Sequence, residues 1–495
     1  MKIQNFVNGK WVASSRSRPL TMAATPLTSN ATDELCLLHH DHADDRGIVE
    51  VALEGARLSH QQALAGEVFA LPERLALLQA VQKALAHQRS EMATLIADEV
   101  AKPLALAHGE VDRALLTLEA TLQAAENLLG LQPRTQSLRF AAEPHGTVNE
   151  LRKSRGPVFC ITPFNFPLNL VMHKVAPALA SASPVLLKVS TKAARVGTRL
   201  VKIFEEAGVP AGFLNLIHCD NELATEVSRD ARLAHVTFTG SDSVGWKLKE
   251  TVHASCTLEL GGNAAVYIHK DAALKKAAKK LAESAFGYAG QSCISLQNLF
   301  VHQDVYDNFR ALMIQNLHQL RWGEPQNLDT RCSWVIDESA AKKIRERLDR
   351  ATRAGATVAA RAEPPSGWTW DQLAAHPTAV PPTLLENVNL QDEIVTQELF
   401  APVVNLHRVE SEFDYYDWIA SAEFRLQTAV WTADVQTHLA KLTALDFGGV
   451  LINESPSFRF DPVAYGGRGR SGLGVEGPEH VIRELTHPTV VVIGY

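Results

Sequence analysis

Strands alternate with helices between residues 156 and 260, and this alternation restricts the chain to few architectures. The apolar segments GPVFCIT, PVLLK, FLNLIH, LAHVTFTG and TLEL have the length of strands, and helical segments lie between them. Ser190 and Thr191 are typical N-caps for one such helix, and Gly208 followed by Pro210 ends it. Repeated β–α units with this spacing predict a doubly wound parallel sheet.

Ligands of such sheets bind at the carboxyl ends of the strands. This rule places a nucleotide near Lys188 and the Gly240–Ser241 turn. A second alternating region covers 263–448, with predicted helices at 272–288, 305–320 and 338–354, and 364–382 is predicted to be a surface insertion. The chain ends in the β-prone THPTVVVIGY, which needs a neighbouring strand in the chain or, failing that, in another subunit.

Composition excludes several classes of protein. The 495 residues include 48 Lys and Arg against 55 Asp and Glu, a net charge of −7, so we expect no nucleic-acid partner. No apolar run approaches the roughly 20 residues of a membrane span, and the first residues lack the apolar core of a signal peptide. We therefore expect a cytoplasmic protein with no membrane partner.

The six cysteines stand singly, without a C-x-x-C pair, so neither a disulfide framework nor a zinc site is predicted. The cluster His39-His40-Asp41-His42 is interpreted as a solvated loop rather than a metal site. The segment Gly467-Arg-Gly-Arg-Ser-Gly472 matches G-x-G-x-x-G, but it follows no predicted strand and opens no convincing helix. We interpret it as a flexible loop.

Cys293, in FGYAGQSCIS, is the candidate nucleophile. Gly287 and Gly290 allow a tight turn and close approach of a ligand, as expected of an exposed thiol on a loop. The alternative is that it is a small core residue, which is the interpretation given to Cys160 and Cys256 in their apolar strands.

Two polar residues in apolar surroundings complete a candidate site. Glu259, in TLELGGN, is either an inward-facing acid whose pKa burial would raise, or an edge residue in water. Asn165, in TPFNFPLNL, is either a satisfied turn amide or an oxyanion donor. A thiol, an amide donor and a carboxylate on a nucleotide-binding scaffold fit oxidation of an aldehyde through a thioester.

The chain resembles the NAD(P)-dependent aldehyde dehydrogenases over nearly its whole length. Seven motifs occur in the order typical of that family: FNFP (164–167), LLKVS (186–190), FTGS (238–241), LELGG (258–262), GQSC (290–293), ELFAP (398–402) and the late NESPSFRFDPVAYGGRGRSGLGVEG. The resemblance implies that Cys293 is the nucleophile, that Asn165 and the Cys293 N–H form the oxyanion hole, and that Glu259 is the general base.

The resemblance also implies a cofactor site, with Lys188 at the ribose or phosphate, Gly240 and Ser241 at the pyrophosphate, Glu398 at the nicotinamide ribose and Phe400 near the ring. The remaining residues expected to bind the cofactor are Thr162, Phe164, Ser190 and Thr191. Many members that favour NAD have an acid where Thr191 stands here, followed by Lys192. Without that charge a 2′-phosphate is not repelled, which favours NADP or use of both cofactors.

The PSFRFD segment and YAGQSCIS resemble the subgroup that oxidises lactaldehyde, glyceraldehyde, succinic semialdehyde and phosphonoacetaldehyde. Arg459 is therefore a candidate for gripping a carboxylate or phosphonate tail, with Phe166 beside the substrate. The alternative is a structural arginine paired with Asp461 or a neighbouring carboxylate.

The resemblance implies an α/β fold with three parts. A doubly wound cofactor-binding domain is expected over 1–127 and 150–260, a second α/β catalytic domain over 261–448, and a small β oligomerisation element over 128–149 and 478–495. Residues 449–477 would form a loop that contributes to the substrate site. A homodimer or homotetramer is expected. Two alternatives remain open, a CoA-acylating aldehyde dehydrogenase and a catalytically silent binding or structural protein on the same fold.

Overall fold

The computed structural model describes residues 2–20, 23, 33–130, 132–133 and 146–494. In chain order, the strands among these residues are β1 Lys2–Ile3, β2 Asn5–Val7, β3 Lys10–Val12, β4 Ser17–Pro19, β5 Glu34–Cys36, β6 Gln132–Pro133, β7 Gly146–Ser154, β8 Val158–Ile161, β9 Val185–Lys188, β10 Leu214–Leu216, β11 His235–Thr239, β12 Ser255–Glu259, β13 Ala264–Ile268, β14 Leu296–His302, β15 Thr357–Arg361, β16 Thr383–Glu386, β17 Val403–Val409, β18 Phe424–Arg425, β19 Gln427–Trp431, β20 Gly449–Ile452, β21 Arg468–Gly469, β22 Gly472–Leu473 and β23 Thr486–Gly494.

The α-helices of the described part are α1 Ala43–Leu64, α2 Leu71–His87, α3 Arg89–Val100, α4 Leu104–Leu129, α5 Asn169–Ala180, α6 Ala194–Glu206, α7 Asn221–Ser228, α8 Asp242–Lys249, α9 Leu274–Phe286, α10 Gln303–Gln319, α11 Glu338–Arg353, α12 Trp370–Ala375, α13 Glu393–Thr396, α14 Glu412–Ala420, α15 Val435–Thr443 and α16 Pro478–Glu484. Short 3₁₀ helices cover Thr191–Ala193 and Gly287–Gly290. None of these helices is long and apolar enough to cross a membrane.

The first sheet has the order β22-β12-β11-β8-β9-β10-β2-β3. The five strands from β12 to β10 are parallel, and the antiparallel strands β22 and β2 flank them. Alternate residues of β8 and β9 enter different cores: Phe159 and Leu186 pack with the α1 side, and Cys160 and Leu187 pack with α5 and α6. Helices therefore cover both faces, and the predicted doubly wound parallel sheet is confirmed.

The second sheet has the order β15-β16-β17-β14-β13-β19-β20, parallel except for the antiparallel pair of β15 with β16. Its residues alternate between two cores, with Leu299 on the side of α9 and α10 and Phe300 on the side of α14. The three helices predicted in this region are confirmed as α9, α10 and α11, with boundaries shifted by at most two residues.

The carboxyl-terminal strand finds its neighbour within the chain. β23 pairs antiparallel with β7 over nine residues, from Thr486 opposite Ser154 to Gly494 opposite Gly146, and β6 pairs on the other side of β7. Within the expected oligomerisation element, residues 131 and 134–145 lie outside the described part of the chain. The division into three domains stays a prediction.

One prediction about loops holds only in part, and another is wrong. The stretch 364–382 lies at the surface at 366–372, where Trp370 is 47% exposed, but it also contains α12, buries Leu373 and Val380, and places His376 against Trp334 with ring centroids 4.5 Å apart. The segment 467–472 is not a flexible loop, because it contains β21 and begins β22, which pairs with β12 at the edge of the first sheet. Pairing of these short strands fixes the backbone despite its glycines.

Candidate active site

A cavity of about 670 Å³ opens where strands of the first sheet end, and loops of the second sheet form its other wall. Most of the predicted site residues line it: Asn165, Glu259, Cys293, Phe164, Phe166, Gly240, Ser241, Glu398, Phe400 and Arg459. Thr162, Lys188, Ser190 and Thr191 do not line it. Thr162 follows β8, Lys188 ends β9, and Ser190 and Thr191 come shortly after it. The Thr162 N–H donates to the Lys188 carbonyl over 3.0 Å.

Tight backbone turns fix the loop that presents Cys293. Tyr288 and Ala289 have φ of 52° and 54°, and Gly290 follows with φ of 67°. A Cβ on Gly290 would overlap the Ala401 carbonyl, so only glycine fits there. The Tyr288 hydroxyl donates to the Val100 carbonyl over 3.1 Å and ties this strained turn to the end of α3.

The two glycines after Glu259 are required by close packing. A Cβ on Gly262 would overlap the carbonyl oxygen of Cys293, and one on Gly261 would overlap the Glu398 carboxylate. The Gly262 N–H donates to Oε1 of Glu398 over 3.0 Å. The LELGG motif thus joins the end of β12 to the loop that holds Cys293 and to Glu398.

The Cys293 thiol is neutral in these surroundings. Burial raises its pKa to about 12, and the carboxyls of Glu398 and Glu259 act in the same direction. Two groups favour the thiolate: the Tyr465 hydroxyl, 3.1 Å from Sγ, and the guanidinium of Arg459. Formation of the Cys293 thiolate therefore depends on these two groups.

Glu259 ends β12 and is 3% exposed. Neither oxygen of its carboxyl group has a hydrogen-bond partner among the described residues. Burial, and then the negative charge of Glu476, raise its pKa well above the ordinary value. A carboxyl group with a raised pKa is, once ionised, a stronger base than that of an ordinary glutamate.

Asn165 follows β8 and is also buried. Its Nδ2 donates to the carbonyl of Gln291 over 3.1 Å, two residues before Cys293, while its Oδ1 lacks a partner in the described part of the chain. An amide nitrogen has two N–H groups. One of them fixes the side chain to the loop that holds Cys293, and the side chain also lines the cavity.

Arg459 lies beside two carboxylates and an aromatic ring. Its Nη2 is 3.4 Å from Oε2 of Glu476, its Nε is 3.6 Å from Oδ1 of Asp461, and its guanidinium carbon is 3.8 Å from the centroid of the Tyr465 ring. The Nε has no hydrogen-bond partner within the described residues. Both pairings expected of a structural arginine are present but long, and the side chain also lines the cavity.

Both carboxylates beside Arg459 already have another cation. Arg113 of α4 binds Asp461 with two hydrogen bonds of 2.8 Å, and Lys174 of α5 pairs with Glu476. Arg113 lines the cavity as well. The cavity thus presents two arginines, of which sequence reasoning found one.

A buried ion pair closes another side of the cavity. Lys102 pairs with Glu110, and the lysine Nζ lies 3.7 Å from the centroid of the Phe166 ring. Oε1 of Glu110 accepts from the N–H groups of Leu168 and Asn169 over 2.9 and 3.1 Å, at the start of α5. Burial lowers the pKa of Lys102 to about 8. The pair orients the helix that follows Asn165.

The cofactor candidates at the cavity wall form a coherent group. Ser241 is the N-cap of α8, and its hydroxyl does not cap that helix, so α8 presents free N–H groups beside Gly240. Phe164 and Phe400 meet edge to face with centroids 6.1 Å apart. Burial raises the pKa of Glu398 to about 7. A phosphate binds well at such a helix end, and the two aromatic side chains give this part of the cavity an apolar wall.

The chain matches the model of the aldehyde dehydrogenase family over residues 29–491. It is 30% identical over 427 residues to a 3-sulfolactaldehyde dehydrogenase of Priestia aryabhattai, which covers 85% of this chain and 86% of that protein. It superposes with a TM-score of 0.89 and 26% identity on an NADP-dependent glyceraldehyde-3-phosphate dehydrogenase from Bacillus halodurans in complex with NADP, over 100% of this chain and 99% of that one. It also superposes with a TM-score of 0.88 and 27% identity on aldehyde dehydrogenase 21 from Physcomitrella patens in complex with the reaction product succinate, over 100% of this chain and 98% of that one.

Proposed function

The chain belongs to the aldehyde dehydrogenase family, and from that premise we propose that it oxidises a small aldehyde with an anionic tail to the carboxylic acid, with NAD or NADP as hydride acceptor. One observation carries the proposal. A single cavity contains the Cys293 thiol, the Asn165 amide, the Glu259 carboxyl group, which has no hydrogen-bond partner among the described residues, and two arginines. The first three suit the chemistry, and the arginines suit the tail.

The reaction begins at Cys293. Its thiolate attacks the aldehyde carbon, and the free N–H of Asn165 together with the Cys293 backbone N–H donates to the oxyanion. The hydrogen bond from Asn165 to Gln291 holds the donor in place before the substrate arrives, so no reorganisation is needed. The product of this step is a thiohemiacetal.

The residues at the cofactor end fit a nicotinamide dinucleotide. Thr162 has a buried hydroxyl without a partner among the described residues, and the start of α8 offers N–H groups to a pyrophosphate. Glu398 would hold the nicotinamide ribose, Phe164 and Phe400 would flank the ring, and Lys188, Ser190 and Thr191 would take the adenosine side. When bound, the nicotinamide supplies the hydride acceptor that converts the thiohemiacetal to a thioester.

Glu259 completes the cycle by activating water. Its carboxylate takes a proton from a water molecule that attacks the thioester, which releases the acid and restores Cys293. The raised pKa of Glu259 makes its carboxylate a stronger base than that of an ordinary glutamate. A base for water has no use when CoA is the acceptor, which favours hydrolysis over the CoA-acylating alternative.

Arg459 and Arg113 are proposed to bind the substrate tail. A guanidinium matches carboxylate, phosphate and sulfonate geometry, and the Arg459 Nε is without a hydrogen bond in the described structure. The names of the relatives support this choice, because sulfolactaldehyde, glyceraldehyde 3-phosphate and succinate all carry an anionic group. The Phe166 ring, 5.4 Å from the Arg113 guanidinium carbon, would form the apolar wall beside the tail.

NADP is proposed to be accepted beside NAD. Thr191 offers no negative charge against a 2′-phosphate. Lys192 is neutralised by its ion pair with Asp337, so it adds less attraction than its sequence position indicates. The relative from Bacillus halodurans is described with NADP.

We further propose that the sheet of β6, β7 and β23 is the contact between subunits of a dimer or tetramer. Val148, Val490 and Val492 are exposed on these strands, at 37%, 65% and 66%. Exposed apolar side chains on neighbouring strands favour association. Light scattering that gives a stable monomer would contradict this proposal.

Formation of NADH or NADPH by the purified protein tests the function. The panel should contain propanal, succinic semialdehyde, a phosphorylated and a sulfonated aldehyde, with and without CoA. We expect CoA-independent turnover that favours the anionic aldehydes and disappears in Cys293→Ala. A requirement for CoA would identify the acylating alternative, and no turnover in any condition would favour the binding-protein alternative.

A further inference from the structure

Tyr465 lies at the reacting sulfur without a role in the mechanism above. Its Oη is 3.1 Å from the Sγ of Cys293, and the residue is 6% exposed. The backbone on either side is fixed by a bridge in which Tyr465 and Glu476 exchange N–H to carbonyl hydrogen bonds, with 3.0 Å for the bond from Tyr465. The hydroxyl is therefore held at the sulfur by the fold.

The hydroxyl is suited to donate rather than accept. Burial raises the pKa of the phenol well above its ordinary value, so the proton stays on oxygen over the working range of an enzyme. The Arg459 cation stacked at 3.8 Å on the ring strengthens a phenolic donor. A thiolate accepts such a hydrogen bond better than a thiol does.

The charged groups near the Cys293 sulfur either favour or oppose formation of the thiolate. Glu398 and Glu259 oppose formation of the thiolate, and Arg459 favours it. Burial also opposes it. The Tyr465 hydroxyl is thus the only uncharged side chain of the described residues that the structure places in hydrogen-bond contact with Sγ.

We propose that Tyr465 is a catalytic residue whose hydroxyl stabilises the Cys293 thiolate by a hydrogen bond, with Arg459 on its ring as the supporting cation. The inference rests on the proposed function for its purpose, because a nucleophilic thiolate is what aldehyde oxidation requires. It rests on geometry alone for its test, since the acidity of a thiol can be measured without substrate or cofactor.

The test is alkylation of Cys293 by iodoacetamide for a fixed time at pH 6–10, followed by mass spectrometry of the peptide that contains it. The midpoint is the pH at which half of this thiol is alkylated within that time. Tyr465→Phe removes the hydroxyl and keeps the ring. A hydrogen bond to a charged group contributes about 1.5–3 kcal/mol, or about one to two pKa units, so the alkylation midpoint should move up by at least about one unit. At pH 7.5 the rate should fall about tenfold or more.

Tyr416→Phe is the matched control. It removes a hydroxyl 2.8 Å from the Nδ1 of His438, in the core beside the second sheet, and should leave the midpoint unchanged. Thermal unfolding checks that each variant is folded. If Tyr465→Phe does not fold, Tyr465→Leu provides the second variant, since it also lacks the hydroxyl and keeps Arg459, and its midpoint should rise as well.

The outcomes separate the two proposals. An unchanged midpoint in folded Tyr465→Phe overturns the role of Tyr465, whatever the enzyme oxidises. A raised midpoint in a protein that oxidises no aldehyde supports the hydrogen bond and counts against the proposed function. In an active enzyme, kcat/KM of Tyr465→Phe should fall equally for neutral and anionic aldehydes and recover as the pH is raised. A loss that is the same at every pH would indicate a structural role and overturn the inference.

Discussion

Replacement of Arg459 by leucine tests whether this arginine selects the substrate or only completes an ion-pair network. Leucine fills most of the apolar volume of the arginine stem and removes the guanidinium. The change leaves no buried acid alone, because Glu476 keeps Lys174 and Asp461 keeps the two hydrogen bonds from Arg113. We therefore expect Arg459→Leu to fold.

The magnitude follows from the contacts. The present partners of Arg459 are 3.4 and 3.6 Å away, so these pairings are weaker than the short contact that an anionic tail can make in the open cavity. Loss of a hydrogen bond to a charged group costs about 1.5–3 kcal/mol. This corresponds to a loss of about 10- to 100-fold in kcat/KM for anionic aldehydes relative to a neutral one.

The assay is the ratio of kcat/KM for succinic semialdehyde to that for propanal, measured as cofactor reduction. A ratio cancels any loss that both substrates share, including a change in the acidity of Cys293. Arg310→Leu is the control, since it removes an arginine that pairs with Glu386 on the surface of the second sheet, away from the cavity. If Arg459→Leu and Arg310→Leu give the wild-type ratio, Arg459 is structural and the anionic tail is bound elsewhere.

Four further predictions concern the reaction and the stability of the chain. The pKa values of Cys293 and Glu259 are raised, so the ionised fraction of each group grows as the pH rises, and kcat should increase from pH 6 to 9. Glu259→Gln should give a rapid burst of NADH followed by slow turnover, and a full steady-state rate in that variant would exclude the proposed base. Gly262→Ala should lower activity at least a hundredfold while the protein stays folded by circular dichroism, because a Cβ there displaces the Cys293 carbonyl; activity within tenfold of wild type would contradict this packing argument. Lys102→Met leaves the carboxylate of Glu110 buried without its cation and should reduce the free energy of unfolding in urea by about 3–5 kcal/mol, which a second change of Glu110 to Gln should partly restore.

The fold was predictable because the period of apolar residues is a local property. Segments of four to seven apolar residues separated by amphipathic helices specify parallel strands covered on both faces. Phe159 and Cys160, which are consecutive in β8, accordingly lie in two different cores. The buried part of 364–382 was missed because it has no such local pattern. Its Pro and Trp residues have no period, and the packing of Trp368 and His376 against Trp334 depends on a contact that no local pattern reports.

The residues of the candidate site were likewise predictable only where the sequence around them carries a local signal. Cys293, Glu259 and Asn165 stand out because each is a reactive or polar residue in a glycine-rich or apolar setting, and the structure places all three at one cavity. Arg113 could not be found in this way, since it lies in a long amphipathic helix and its partner Asp461 is 348 positions away. Tyr465 resembles any core aromatic residue until its hydroxyl is seen beside the thiol.

The surroundings of two buried glutamates differ in a way that supports the proposed base. Glu259 and Glu476 are both buried and both line the cavity. Although burial opposes its ionisation, Lys174 and Arg459 hold the pKa of Glu476 well below the ordinary value, and its carboxylate is consequently a weak base. Glu259 lacks a hydrogen-bond partner within the described structure, and the fixed negative charge of Glu476 raises its pKa further. A cation placed on Glu259 would ionise it and remove its basicity, so the same cluster that holds Glu476 charged must leave Glu259 without a partner for water to be activated.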